Sequence, residues 1–447
     1  MKKLVWIIVD SLPREQFWDQ YENGELRHIS IPFKEKPLLQ VNSAVGNLES
    51  TTHKTTLQLI TGQKCNQDGA VYRVDGPQGP TWVNGLGRDV FEMGNCCGEK
   101  TVFDFFKGGY AIDLPYADGA TSRSSGLTKG WNQHFLGTWD GAVRRGRVKT
   151  IQAMSERDTK LAVWRVGAFD FHSHFRPLDW RLRQKVRGLS KTDFRLIYEE
   201  AIKYDRNLDE TVFCITSDHS NEWIPYSHRL NPKEFMRNYG LEGHFDFRDQ
   251  GSQFLHLHHN SDVGLEEKLS ELVKDEGIAF AVIPGDVVKV VYDGGSVDIS
   301  FDGKRYFTEV HGFRPDFISE DDLLKFENGL TGNESFEISV DNDYPDIVER
   351  VYHAYRNPHA PDAVLINAPS YAFTKQPIRR PIGQFRSHGS PIWRVSGVPI
   401  LAFGSSEFIE APVYLDHARM EDVLPTLLTA CGVNNDYEGP GRNLFLP

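Results

Sequence analysis

Three apolar runs in this chain lead straight into acidic or imidazole side chains. Leu4–Val9 is followed by Asp10, and Leu161–Val166 passes through Gly167-Ala-Phe to Asp170 and His174. Thr211–Thr216 leads in the same way to Asp218 and His219. Continuous apolar runs of this length read as strands buried on both faces, as in a parallel sheet covered by helices. Ligands of such sheets collect beyond the carboxyl ends of the strands. Acidic and imidazole groups arriving repeatedly at that edge predict a metal site assembled from distant parts of the chain.

The chain has 447 residues, 39% of them hydrophobic, which is ample for a large core. Residues 1–220 alternate strand-like runs with helical patterns, predicting an α/β fold: a doubly wound, mostly parallel central sheet flanked by helices. The segment 192–210 carries Phe194, Ile197, Tyr198, Ala201, Tyr204 and Leu208 at helical spacing. Residues 221–360 are richer in charge and read as an inserted α+β cap. They hold a helix-like stretch at 265–277 and β-like runs at 287–293, 296–301 and 305–310, joined by Asp-Gly turns. The α/β core then resumes at 361–447, with strands predicted at Ala363–Asn367 and Val398–Phe403.

Net charge and cysteine usage narrow the class. A charge of −12 and a pI near 5.8 provide no basic face for stable nucleic-acid binding. A small phosphorylated substrate stays compatible, because bound metals supply local positive charge. Met1–Val9 is too short an apolar start, and too soon followed by charge, to read as a signal peptide. No run approaches the ~20 apolar residues that span a bilayer, so no membrane association is expected. The five cysteines form no CxxC pair, and Cys214 falls within a core strand, which suits a reducing, cytoplasmic setting.

Two ligand sets can be drawn from these residues. Asp170 and His174, four apart, share a face if the turn is helical, and His388 completes a three-ligand set. Asp218 and His219 with Asp10 form a second. Such a pair of sites would hold two divalent ions and stabilise both the attacking and the leaving oxygen of a phosphoryl transfer. Histidine-rich sets favour zinc and also accommodate manganese. Taken singly, an Asp-x-x-x-His pair is often a surface pair, and Asp218 could be a helix cap. His256 and His258 alternate onto one strand face, which reads as cap surface, substrate pocket or a further metal site.

The motifs resemble the alkaline phosphatase superfamily, in particular its type I phosphodiesterase/nucleotide pyrophosphatase branch, in chain order and over nearly the whole length. The carriers are Ile7-Ile-Val-Asp10, Leu59-Ile-Thr-Gly62, Asp170-x-x-x-His174, Thr216-Ser-Asp-His-Ser220, Ser387-His-Gly-Ser390, and Glu421–Leu427 with Gly441-Arg-Asn-Leu444. Ser220 stands where the family has glycine. The resemblance implies a nucleophile ten residues before Gly62. That is Thr52, itself also a metal ligand, with Thr51 as the alternative, and a helix cap as the bland role for either. It implies that Asp10, Asp218 and His219 serve the nucleophile, while Asp170, His174 and His388 serve the leaving group and water. His53-Lys-Thr-Thr56 replaces the family's Phe-Pro-Asn-His, which makes Lys54 a candidate phosphate contact. Arg73 occupies the position of a phosphate-binding asparagine, and Arg386 is a third candidate; each cation could equally be ordinary surface. The implied activity is two-metal hydrolysis of phosphate esters, diester or monoester, through a phosphothreonine. Phosphotransfer or mutase chemistry on the same site is the alternative, with a non-enzymatic metal-binding module behind it.

Overall fold

The computed structural model describes residues 1–30, 37–49, 52–64, 71–76, 79–84, 99–114, 117–124, 139–167, 170, 184, 186–205, 208–239, 245–246, 253–259, 264–356, 360–373, 386–404, 407–433 and 437–446. In 71–76, 79–84, 139–142, 245–246 and at 53, 258 and 259 it describes the backbone alone.

Alternation along the first strand decides the layering. On Lys3–Val9, Leu4, Trp6 and Ile8 face a core that includes Leu57, Leu59 and Ile60 of the helix Thr52–Thr61 and Leu424, Leu427 and Leu428 of the helix Val423–Ala430. Val5, Ile7 and Val9 face the opposite core, with Phe17 and Trp18 of Arg14–Glu22 and Ile197, Tyr198 and Ala201 of Arg195–Tyr204. Each such side chain removed fully from water contributes about 1.5–3 kcal/mol. The eight-stranded central sheet has the order Val413–Arg419, Leu39–Val45, Gly397–Gly404, Thr211–Thr216, Lys3–Val9, Leu161–Val166, Tyr110–Ile112, Ser122–Ser124. Only Gly397–Gly404 runs against its neighbours; the other pairings are parallel. The doubly wound, mostly parallel α/β sheet read from the sequence is the one observed.

The helix expected over 192–210 begins as a π-helical turn, Leu189–Phe194, and ends at Tyr204. Asp205 stops it, its carboxylate accepting the backbone N–H groups of Asp209 and Glu210, a local bond that competes with helix continuation. Tyr204 is consequently exposed, while Leu208 is buried beyond the helix end.

A second sheet of seven strands lies within the later part of the chain. Its order is Phe245–Asp246, Phe254–His259, Ala363–Asn367, Ile278–Ile283, Val288–Tyr292, Gly295–Phe301, Tyr306–Gly312, all pairings antiparallel. The meander anticipated from the Asp-Gly turns forms its last three strands, and the expected helix is Leu265–Leu272. One expectation is corrected. Ala363–Asn367 does not resume the central sheet; it pairs with Phe254–His259 and Ile278–Ile283. Val364 and Ile366 face one core of this second sheet, Ala363 and Leu365 the other. A fully apolar run reports burial on both faces and carries no information about which sheet supplies the neighbours. Among the described residues no helix is long and apolar enough to cross a membrane.

Candidate metal centre

Asp10, Asp218 and His219 meet beyond the carboxyl ends of Lys3–Val9 and Thr211–Thr216, neighbouring parallel strands with Ile8 opposite Thr216. One ligand atom from each lies within 4.8 Å of the others, and all three side chains are buried. Asp170, His219 and His388 form a second group within the same limit. The first set read from the sequence is therefore assembled whole. In the second, Asp170 and His388 come together, with His388 Nε2 3.8 Å from Asp170 Oδ1. His174, with His172, lies outside the described residues. His219 belongs to both groups, its ring stacked on His388 at 4.0 Å between centroids.

The turn after Asp10 builds much of this geometry. Ser11 has φ +61°, a left-handed conformation unfavourable for a residue with a side chain. That turn directs its N–H to Asp218 Oδ1 at 3.2 Å and its hydroxyl to Asp170 Oδ1 at 2.7 Å. Ser217 Oγ closes the opposite side, donating to the Val9 carbonyl at 2.7 Å and accepting from Leu12 N at 3.0 Å.

His219 is oriented by its own neighbourhood. Nδ1 lies 3.0 Å from the Ser220 carbonyl oxygen and 3.1 Å from Ser11 Oγ, neighbours that suit a protonated Nδ1. Nε2 then presents a lone pair toward Thr52 Oγ1 at 3.0 Å, Asp10 Oδ1 at 3.6 Å and Asp218 Oδ2 at 3.7 Å. Nδ1 held by a backbone carbonyl, with Nε2 turned toward carboxylates, is the arrangement of a metal-ligating imidazole.

Charge points the same way. Burial pushes the Asp10 carboxyl well above the usual range; Arg165 opposes this, and Asp218 and Asp170 add to it. Arg165, itself buried, donates from Nη2 to Asp10 Oδ2 and from Nη1 to the Asp113 carbonyl at 3.4 Å. Asp218 Oδ2 is buried without a hydrogen-bond partner among the described residues. Three carboxylates around one guanidinium, with an orphaned oxygen aimed at a histidine lone pair, suit a divalent cation.

Thr52 opens its helix. Its hydroxyl stands 3.0 Å from His219 Nε2 and 3.4 Å from Asp10 Oδ1. The first amides of the helix point toward this edge, where an anion is favoured. Thr51 lies outside the described residues. Lys54, a candidate phosphate contact, lies buried with Nζ 2.7 Å from Glu49 Oε2. Arg386, also buried, donates to Asn221 Oδ1 at 3.2 Å, two residues beyond His219. Arg73 sits in the strand Val71–Gly76 opposite Trp82, its side chain outside the described residues.

Sequence reading missed Ser11, Ser217, Glu49 and Arg165. Arg165 had left a signal: a charge inside an otherwise apolar buried strand requires a partner. The others look like ordinary loop residues until the strand ends are brought together.

No protein-family model matches the sequence, and no curated protein does either. Solved structures do. Murine ectonucleotide pyrophosphatase/phosphodiesterase 5 superposes with a TM-score of 0.63 at 12% identity, over 97% of this chain and 96% of that one. The human protein of the same name gives 0.64 at 12%, over 100% of both chains. An inactive murine form carrying a threonine-to-alanine substitution, in complex with AMP, gives 0.62 at 11%, over 97% of this chain and 96% of that one. The resemblance read from the ordered motifs is thus matched in the fold along the whole chain.

Proposed function

We propose that this chain is a two-metal phosphohydrolase that cleaves phosphate esters through Thr52. One observation carries the reading: the Thr52 hydroxyl stands at a helix start, 3.0 Å from Nε2 of His219, which groups with Asp10 and Asp218. Asp10, Asp218 and His219 would hold one ion, with Thr52 as a further ligand. Asp170 and His388, with His174, would hold the other. Zinc fits this imidazole and carboxylate set, and manganese accommodates it. When bound, such ions lower the pKa of a hydroxyl and offset charge on phosphoryl oxygens.

The chain's own residues supply the rest. The Thr52 Oγ1–phosphorus bond forms as the bond from phosphorus to the leaving oxygen breaks. The proton lost by Oγ1, which lies within reach of Asp10 Oδ1, is matched by one gained by the departing alcohol. Water then attacks the phosphothreonine, restoring the hydroxyl and releasing the phosphorylated product. Positive charge for the substrate would come from Arg73 and Arg386. Lys54 spends its charge on Glu49, so the two guanidiniums remain the candidates for the phosphoryl oxygens. The fold shared with proteins named pyrophosphatase/phosphodiesterase supports this reading, as do the AMP bound by one of them and the inactivity of its threonine-to-alanine form.

The test compares turnover of chromogenic phosphodiester, phosphomonoester, phosphonate and sulfate substrates, with zinc or manganese restored. The diester is expected to be preferred, and activity should vanish on chelation. Thr52→Ala should lower turnover by at least ~10³-fold while metal content stays at two ions per chain. Full activity in that variant would remove Thr52 from the mechanism.

A further inference from the structure

Glu49 is a buried carboxylate that belongs to neither ligand group. It lies three residues before Thr52, between the strand Leu39–Val45 and the helix Thr52–Thr61, with its side chain 1% exposed. Oε1 is 2.5 Å from His256 Nε2 and also accepts the Tyr355 hydroxyl, while Oε2 is 2.7 Å from Lys54 Nζ. These partners come from three elements: Lys54 from the Thr52 helix, His256 from the strand Phe254–His259 of the second sheet, and Tyr355 from the end of the helix Ile347–Ala354. The Lys54 ammonium also sits 5.4 Å from the Tyr355 ring centroid.

A carboxylate is costly to bury unless opposite charge and hydrogen bonds meet it. Here they do. Burial pushes the Glu49 carboxyl upward, but the His256 and Lys54 charges and their hydrogen bonds outweigh it and hold the group well below the usual carboxylate range. Glu49 and Lys54 also flank Thr52 in sequence, so their ion pair fixes the helix start from both sides. The same strand of the second sheet reaches the metal centre a second time, since Gln253 N, just before Phe254, donates to the His388 carbonyl at 3.2 Å.

We propose that Glu49 is a positioning residue: it anchors the start of the helix that opens with Thr52 to the strand Phe254–His259, so that Thr52 and His388 are registered by one rigid edge. This rests on the assignment of Thr52 as nucleophile. A buried carboxylate held by three elements moves as a unit with them, and misplacement of a nucleophile by about 1 Å can cost ~10²-fold in rate.

Two measurements on the full, zinc-loaded chain test it, using Glu49→Ala, Glu49→Gln, His256→Asn and Tyr355→Phe. Amide hydrogen exchange in 47–58 should accelerate at least ~10-fold in Glu49→Ala while the helix Val423–Ala430 exchanges as before. The kcat per metal-loaded site should fall ~10–100-fold with KM within about twofold, and Glu49→Gln, which keeps the shape and one acceptor, should recover part of it. His256→Asn and Tyr355→Phe, each removing one partner, should fall between and keep the fold should Glu49→Ala fail to. A merely structural role lowers the melting temperature and the loaded fraction but leaves kcat per loaded site at the wild-type value, and that result overturns the proposal. Unchanged exchange in 47–58 overturns it as well. A wild-type chain inert toward every phosphate ester removes the proposed function instead, and the exchange comparison then decides Glu49 alone.

Discussion

Two buried clusters of charge lie toward opposite ends of the helix Thr52–Thr61, and they differ in balance rather than in residue type. At its start, the carboxylates of Asp10, Asp170 and Asp218 gather around Arg165, and Asp218 Oδ2 has no hydrogen-bond partner among the described residues. Past its end, Lys64, Arg350 and Arg419 face Asp346, Glu349 and Glu421 around a cavity of about 20 Å³. There each carboxylate meets a cation or an amide donor, although Arg350 Nε and Gln58 Oε1 have no hydrogen-bond partner among the described residues. Arg419 donates to Glu349 Oε2 at 2.7 Å, Asp346 Oδ2 at 3.1 Å and Asn333 Oδ1 at 3.0 Å. Gln58 donates to Glu421 at 2.6 Å, Arg350 caps the carbonyls of Pro345, Pro391 and Asn47, and Lys64 pairs with Glu349. A cluster of balanced charge joins parts of a fold; one with more carboxylates than cations could hold a metal ion.

Removing the central cation from each cluster is the sharpest way to break that contrast. Arg419→Met leaves two carboxylates buried without their partner and should cost about 3–5 kcal/mol, read as a fall in urea midpoint. Zinc should restore none of it. Arg165→Met should lower the melting temperature of the metal-free protein by less, and added zinc should recover most of the loss because the ion supplies the missing charge. Equal zinc recovery in the two variants would mean that the clusters do not differ as described. The smallest effect concerns His353, which lines the balanced cavity and meets the Tyr306 hydroxyl at 2.6 Å. Burial first, then the Lys64, Arg356 and Arg419 charges, push it down to about 3. Its unfolded value is about 6.5. It therefore contributes stability that is full above about pH 6.5 and fades as pH falls toward 3, by up to about 1 kcal/mol per unit. His353→Gln should flatten the loss of urea stability between pH 7 and 5; parallel slopes in variant and wild type would remove His353 from that dependence.

Legibility in the sequence followed the range of the interaction. Leu4–Val9, Leu161–Val166 and Thr211–Thr216 announced themselves because burial on both faces imposes an unbroken apolar run, and the residues just after them fall where a parallel sheet places its ligands. Asp10, Asp170, Asp218 and His219 were read as candidates that way, and His388 and Thr52 through the ordered resemblance. Lys54 was read as a phosphate contact or an exposed side chain, and its actual partner Glu49 was overlooked. Nothing in a five-residue spacing says that a strand carrying His256, 207 positions from Glu49, will bury that carboxylate.

By itself, then, the sequence determined the apolar strands buried on both faces, the layered α/β class, the candidate ligand-type residues and the order in which they arrive. Those depend on backbone periodicity and on which side chains tolerate water, both local properties. Tertiary structure alone decided that His219 falls in both candidate ligand groups, that Arg165 meets Asp10, and that Ala363–Asn367 builds the second sheet. These are choices among distant partners of similar chemistry, made by which surfaces can be packed and which buried charges satisfied at once.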